Sequence, residues 1–248
     1  MVQFVILVPT YNEAAAIVEL LRELEAFRTR SDFKFDLLVI DDNSPDGTAE
    51  IVDRLLLPWI KIIRRPRKDG LGEAYRAGFS EVLVNPNYTH VVTMDADGSH
   101  RVDDLTQMLV ALNSAKSTKT LVIGTRWMPG GKVVNWPKYR QLLSRFGTRY
   151  AKFGLGLDID DLTGGFRIYS SQLLKSLDLH EVNATGYCFQ IQMALASERA
   201  GAHILQIPIT FIERNLGSSK MTIGIALEAF GYVTRATIKR ILGKNIRR

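Results

Sequence analysis

Short apolar runs rich in β-branched residues alternate with longer segments in which apolar positions recur every three to four residues. The runs Phe4 to Val8, Phe35 to Ile40, Ile60 to Ile63, His90 to Met94 and Thr120 to Ile123 have the length and content of strands. The four segments between them read as helices, and Leu71, Ala74, Gly78 and Val82 fall on one stripe of such a helix. This alternation predicts βαβ units, hence an α/β fold with a mostly parallel sheet flanked by helices. The loop from Met128 to Pro137, with Gly130 and Gly131 between two prolines, is expected to be mobile. Beyond it follow a helix, a short strand near Phe166 to Tyr169, a helix, a strand from Ile204 to Ile212 and a final helix. These complete the same single domain.

In open α/β sheets, ligands bind beyond the carboxyl ends of the strands. Polar residues gather at those ends here: Thr10-Tyr11-Asn12-Glu13, Asp41-Asp42-Asn43-Ser44, Asp95-Ala96-Asp97 and Thr125-Arg126. The strand ending at Asp95 delivers two carboxylates, Asp95 and Asp97, into a loop that opens with Gly98. Hard cations such as Mg²⁺ or Mn²⁺ take one or two such carboxylates together with substrate phosphates. A structural reading stands beside this one: Asp97-Gly98 makes a turn and Asp103 caps the next helix. In the second cluster, Pro45-Asp46-Gly47 reads as a turn and Thr48 as a helix cap. Neither role explains two adjacent acids after a buried strand, and Asp42 could accept hydrogen bonds from a base or ribose.

Other chemistries are excluded. The single cysteine, Cys188, rules out a disulfide framework or a Cys-based zinc site and fits a reducing compartment. Lys68 to Tyr75 carries Tyr75 where a dinucleotide motif needs its third glycine, and Gly130-Gly131-Lys132-Val133 lacks the rest of a P-loop. Gly70 and Gly72 are expected to serve a tight turn or a close backbone approach to a ligand. The four histidines lack metal-ligand spacing; His90 reads as a packed core residue, and His100 as either a phosphate-positioning group or a surface loop residue. No stretch approaches the ~18–20 apolar residues of a membrane span, and the opening apolar run reads as a strand rather than a signal peptide.

The net charge of +6 comes from one end: from Arg214 onward there are eight Lys or Arg and one acid, Glu228. This predicts an anionic partner met by that end rather than a nucleic-acid-binding surface. On a helix from Ile223, the residues Ile223, Leu227, Phe230, Thr234, Ile238 and Ile241 share a face, with Arg235, Lys239, Arg240 and Lys244 on the sides and back. Such a helix could lie in an anionic membrane interface or simply pack on the core.

Taken together, Val8-Pro9-Thr10-Tyr11-Asn12-Glu13, the Asp41-to-Thr48 loop and Asp95-Ala96-Asp97 resemble the inverting family 2 glycosyltransferases with the GT-A, Rossmann-like fold. Within them the chain is similar to the polyprenol (dolichol) phosphate mannose synthases. Lys68 to Gly72, Gly124-Thr125-Arg126, Asp161 to Arg167, Gly186 to Gln190, Glu213-Arg214 and Gly217 to Lys220 extend that similarity in order along the chain. Gln192, where these synthases often have a glutamate, and Gly98 and Arg101 around the histidine depart from the pattern.

The resemblance implies roles for particular residues. Pro9, Tyr11, Glu13, Ile40 and Asp42 would hold a nucleoside. Asp95 and Asp97, with the Ala96 backbone, would hold a Mg²⁺ or Mn²⁺ ion and the donor diphosphate. Arg126, Arg214 and Lys220 would meet phosphate or sugar oxygens, with a solvated basic patch as the alternative for the last two. Residues 1–220 would form the catalytic domain and 221–248 the basic helix. The implied reaction is mannose transfer from GDP-mannose to a polyprenyl phosphate, at the cytoplasmic face of a membrane, with room for a separate anchoring protein. UDP-glucose as donor, or a non-catalytic binder of nucleotide-sugar or anionic lipid, are the rival readings.

Overall fold

The computed structural model describes residues 3–182, 184, 186–213 and 223–246. Arg214 and Lys220, two of the basic residues singled out above, lie outside the described residues. The first five strands form where the apolar runs place them: β1 (Gln3–Thr10), β2 (Lys34–Asp41), β3 (Ile60–Arg64), β4 (His90–Thr93) and β5 (Thr120–Thr125). The helices α1 (Ala14–Arg30), α2 (Thr48–Arg54), α3 (Leu71–Leu83) and α4 (Val102–Asn113) separate them. Then follow β6 (Lys132–Val134), α5 (Lys138–Leu155), β7 (Arg167–Ser170), α6 (Ser171–Ser176), α7 (Tyr187–Arg199), β8 (His203–Pro208), β9 (Thr210–Ile212) and α8 (Ile223–Ile246).

The main sheet has the order β3-β2-β1-β4-β7-β5-β8. All its pairings are parallel except those of β7, which enters antiparallel between β4 and β5. Because side chains alternate along a strand, β1 feeds two cores. Phe4, Ile6 and Val8 pack with Leu20 and Leu24 of α1 and Met108 of α4, while Val5 and Leu7 pack with Tyr75 and Phe79 of α3 and Phe189 of α7. The stripe on α3 behaves as its spacing predicts. Gly78 brings that helix so close to the sheet that a Cβ would stand 2.5 Å from Ile40 Cδ1.

Four expectations are corrected. The segment expected to be a mobile loop contains β6, which pairs in parallel with β9 as a second small sheet, and Trp136 beside it is buried. The single strand expected from Ile204 to Ile212 is two. Pro208 ends β8 because it has no N–H to donate, and the chain crosses through buried Ile209 into β9. Thr48 does not cap α2. Gly47, at φ 84°, occupies that position, and the Thr48 hydroxyl instead donates to Asp46 Oδ1 (2.6 Å) and accepts the Glu13 N–H (3.1 Å). Asp103 likewise sits inside the first turn of α4, paired with the N-cap residue Arg101 at 2.7 Å.

Of the two arrangements left open for the final helix, packing on the core is made by residues other than the expected stripe. Val233, Tyr232, Ala229 and Ala236 face the core, while Leu227, Phe230, Ile238 and Ile241 are exposed. Helix α8 rests on α5 through stacked Tyr150 and Phe230 (4.7 Å) and a 2.6 Å hydrogen bond between the Tyr150 and Thr234 hydroxyls. Helix α5 adds its own exposed Tyr139, Leu142, Leu143, Phe146 and Phe153. Among the described residues no helix is long and apolar enough to cross a membrane.

Candidate active site

The strand order reverses between β1 and β4, since β1 leads outward through β2 to β3 and β4 returns on its other side. The crevice beyond the carboxyl ends at such a switch point is where open α/β sheets bind ligands. Two of the predicted clusters meet there.

On the β1–β2 side, Asp41 serves the loop: its carboxylate accepts the Thr10 hydroxyl (2.9 Å) and the Ser44 hydroxyl (2.6 Å) and N–H (2.9 Å). Asp42 points differently. Its Oδ1 accepts Arg65 Nη1 at 2.6 Å, and its carboxyl is raised by burial, against the lowering pull of Arg65. Arg65 also approaches Asp69 at 3.5 Å, and Lys68 Nζ lies 4.0 Å from the centre of the Tyr11 ring. Pro9 and Tyr11 are half-buried at this rim, whereas Glu13 is buried and its carbonyl accepts the N–H groups of Ala16 and Ile17 in α1. The Ile40 side chain is fully buried against Leu7 and α3, which leaves its backbone to serve the expected role.

At the end of β4, Asp95 and Asp97 are half-buried with Ala96 buried between them. Asp97 Oδ1 accepts the Ser99 N–H (3.1 Å) and hydroxyl (2.5 Å), which shapes the turn at Gly98 (φ 74°). The turn and the carboxylate pair therefore coexist. Two carboxylates on one short loop match the donor set of a hard divalent cation that completes its shell with substrate phosphates and water. Among the described residues no group of three or more His, Cys, Asp or Glu gathers.

His100 is not a surface residue. It is buried, its ring stacks on Phe166 at 4.8 Å and meets the edge of Phe211 at 5.5 Å. Its Nδ1 accepts the Asp95 N–H at 3.1 Å, which places the proton of the neutral ring on Nε2, 3.8 Å from Asp95 Oδ2. A backbone bridge from His100 to Phe211 and a bond from Ile212 N–H to Ser99 O join this loop to β9. Asp104 adds a second tie by accepting the Thr210 N–H at 2.9 Å.

Arg126, at the end of β5, faces inward. Its Nε and Nη2 bind Asp161 at 2.6 and 2.8 Å, and Nη2 also reaches the Thr163 hydroxyl at 2.9 Å. Trp127, Trp136 and Phe211 surround the guanidinium. Burial pushes the Asp161 carboxyl up, but the charge and hydrogen bonds of Arg126, with Arg167 behind them, outweigh it and leave it lowered. Arg167, fully buried, donates to the carbonyls of Gly164, Leu162 and Gln190. The 161–165 segment is thus strapped from both sides directly behind Asp95.

Arg65, Lys68, Asp161 and His100 complete what sequence reasoning assigned only in part. Arg65 was findable, since it follows β3 at the same rim. Asp161 stands in a stretch that resembles the family, but its pairing with Arg126, 35 residues away, leaves no local trace. Gly72, expected to meet a turn or a ligand, packs instead on protein: a Cβ there would stand 2.2 Å from the Ala184 carbonyl oxygen.

A mostly parallel sheet with a paired-carboxylate loop at its switch point is the arrangement the resemblance to GT-A enzymes implies. Residues 5–178 match Glycosyl transferase family 2, and the chain belongs to that family. It is 43% identical over 231 residues to the undecaprenyl-phosphate mannosyltransferase of Micrococcus luteus, covering 92% of this chain and 91% of that protein. It is 39% identical over 220 residues to the polyprenol monophosphomannose synthase of Mycolicibacterium smegmatis, covering 88% and 80%. The fold is similar to that of mannosyl-3-phosphoglycerate synthase from Rubrobacter xylanophilus, with a TM-score of 0.67 at 17% identity over 100% of this chain and 76% of that one. It is also similar to glucosyl-3-phosphoglycerate synthase from Mycobacterium tuberculosis, solved with Mn²⁺, UDP and glucosyl-3-phosphoglycerate, with a TM-score of 0.63 at 19% identity over 97% and 79%.

Proposed function

We propose that this chain transfers mannose from GDP-mannose to a polyprenyl phosphate with inversion at the anomeric carbon. The observation that carries the reading is the Asp95–Asp97 loop, pinned by buried His100 at the switch point of the sheet. The names of the two relatives above supply the sugar and acceptor class.

Asp42, Arg65, Tyr11 and Lys68, with the backbone at Pro9, Glu13 and Ile40, border the nucleoside. Asp95 and Asp97 face the diphosphate. A Mg²⁺ or Mn²⁺ ion held by these carboxylates would supply charge neutralisation for the leaving diphosphate. The acceptor needs no dedicated base, because a phosphate monoester has a second pKa near ~6 and is largely dianionic at neutral pH. Arg214 and Lys220 are assigned to that anion. Arg126 acts through Asp161, fixing the segment behind Asp95, and so serves as a positioning residue.

The acceptor is a lipid, and the exposed faces of α5 and α8 fit a membrane surface. Phe146 is 65% and Phe153 85% exposed, beside exposed Arg145, Arg149, Arg235 and Lys239. Apolar side chains flanked by cations suit anionic lipid. The proposal includes a peripheral position at the cytoplasmic face, with room for a membrane-anchoring partner. Metal-dependent transfer of label from GDP-mannose into a solvent-extractable polyprenyl phosphate tests the reading.

A further inference from the structure

Beneath the crevice lies a polar group that no role above uses. Gln190, in the first turn of α7, is 1% exposed, yet among the described residues neither its amide oxygen nor its amide nitrogen has a hydrogen-bond partner. Its backbone is fixed, because the Gln190 carbonyl accepts Arg167 Nη1 at 2.7 Å. Buried carboxamides are nearly always paired, since an unmade hydrogen bond costs the whole desolvation of the group. A fold that buries both ends of an amide unpaired leaves them for something that binds later.

The direction of the amide is given by Gly165. A Cβ built on that glycine would stand 3.5 Å from Gln190 Nε2, 3.6 Å from Asp95 Oδ1 and 3.9 Å from His100 Cε1. The amide and the first carboxylate of the pair therefore converge on the bare face of Gly165. The Gly165 carbonyl accepts the Thr93 hydroxyl at 2.6 Å, which holds that backbone in place.

A neutral carboxamide donates and accepts at once, which matches adjacent hydroxyls; a phosphate dianion is better met by charged donors. We infer that Gln190 binds a hydroxyl of the hexose on the nucleotide-sugar donor, reached at the methyl-sized gap beside Gly165 when the donor parts the side chains that now close it. This inference rests on the donor-site reading above and adds to it the group that reads the sugar.

The test separates sugar from nucleotide. The wild-type chain is titrated calorimetrically with GDP and UDP in the presence of Mn²⁺, and the nucleotide it binds is used in every later arm. A wrong nucleotide thus displaces the GDP-mannose reading without touching the test of the amide. Gln190→Leu keeps the shape and removes both polar ends. Gly165→Ala places a methyl in the cradle at ordinary contact distances, which the fold tolerates. We expect both variants to bind the bare nucleoside diphosphate within twofold of wild type and the nucleotide-sugar at least tenfold more weakly. Gln190→Leu should also melt no lower than wild type. Unchanged nucleotide-sugar affinity in both variants would overturn the inference, as an amide that binds no sugar. Parallel loss of nucleoside diphosphate affinity would overturn it too, assigning the amide to the cation or diphosphate.

Discussion

Arg126 and Asp161 face each other as a two-toothed ion pair, Nε to Oδ2 at 2.6 Å and Nη2 to Oδ1 at 2.8 Å, with both side chains buried. They are 35 residues apart in sequence, so the pair staples the end of β5 to the segment behind Asp95. Removing one partner of a buried pair leaves the other charge without compensation.

Asp161→Ala should therefore cost about 3–5 kcal/mol at neutral pH, measured by urea unfolding. The pH dependence has a definite sign. The folded Asp161 carboxyl lies below its usual range, so its contribution is fully present above the unfolded value of ~3.9 and is lost as pH falls through the folded value. The difference between wild type and variant should shrink from pH 5 toward pH 3. A difference that stays constant over that range would contradict the pairing.

His100 accepts the Asp95 backbone N–H on Nδ1, and its ring is itself held by Phe166 and Phe211. Groups that orient a ligating side chain typically matter by about 10–100-fold. His100→Ala should lower kcat/KM and Mn²⁺-dependent donor affinity by that amount, while His180→Ala, on an exposed residue, changes neither. Equal behaviour of the two variants in steady-state kinetics would remove His100 from the site.

Two glycines should respond with opposite signs. Gly72→Ala drives a methyl onto the Ala184 carbonyl, backbone that cannot swing aside, and should cost about 1–3 kcal/mol. Gly147, inside α5, has open space around its missing Cβ, and Gly147→Ala should stabilise by about 0.4–1 kcal/mol. Thermal melts of the two variants check both signs at once.

The exposed faces of α5 and α8 give a separable prediction. Leu142→Glu with Phe146→Glu alters surface positions and should move stability by no more than about 0.5 kcal/mol per site. The same pair should abolish sedimentation with vesicles of anionic lipid at low salt. Retained vesicle binding by the double variant would place the membrane contact elsewhere.

Much of the architecture could be read from the chain because period and strand ends are local signals. The five early strands, the α3 stripe and the polar loops after β1, β2 and β4 all follow from residues adjacent in sequence. What could not be read depends on distant partners. Neither the antiparallel entry of β7 between β4 and β5 nor the pairing of β6 with β9 leaves a local trace. The α8 stripe was legible as apolar, but which face met the core was decided by Tyr150 and Gly154 of α5. Near the site, Asp42, Asp95 and Asp97 were found by their place after strands. His100 was left open because only its packing on Phe166 and Phe211 shows that it is buried. Gln190 stands in a stretch that resembles the family, but its unpaired amide exists only in three dimensions.

The account stands or falls on one transfer reaction. Purified protein, Mg²⁺ or Mn²⁺ and a polyprenyl phosphate are mixed with radiolabelled GDP-mannose or, in parallel, UDP-glucose, then extracted into organic solvent. The account predicts metal-dependent label in the organic phase from GDP-mannose, with loss of the signal in Asp97→Ala. Label from UDP-glucose alone, or undiminished transfer by Asp97→Ala, would contradict it.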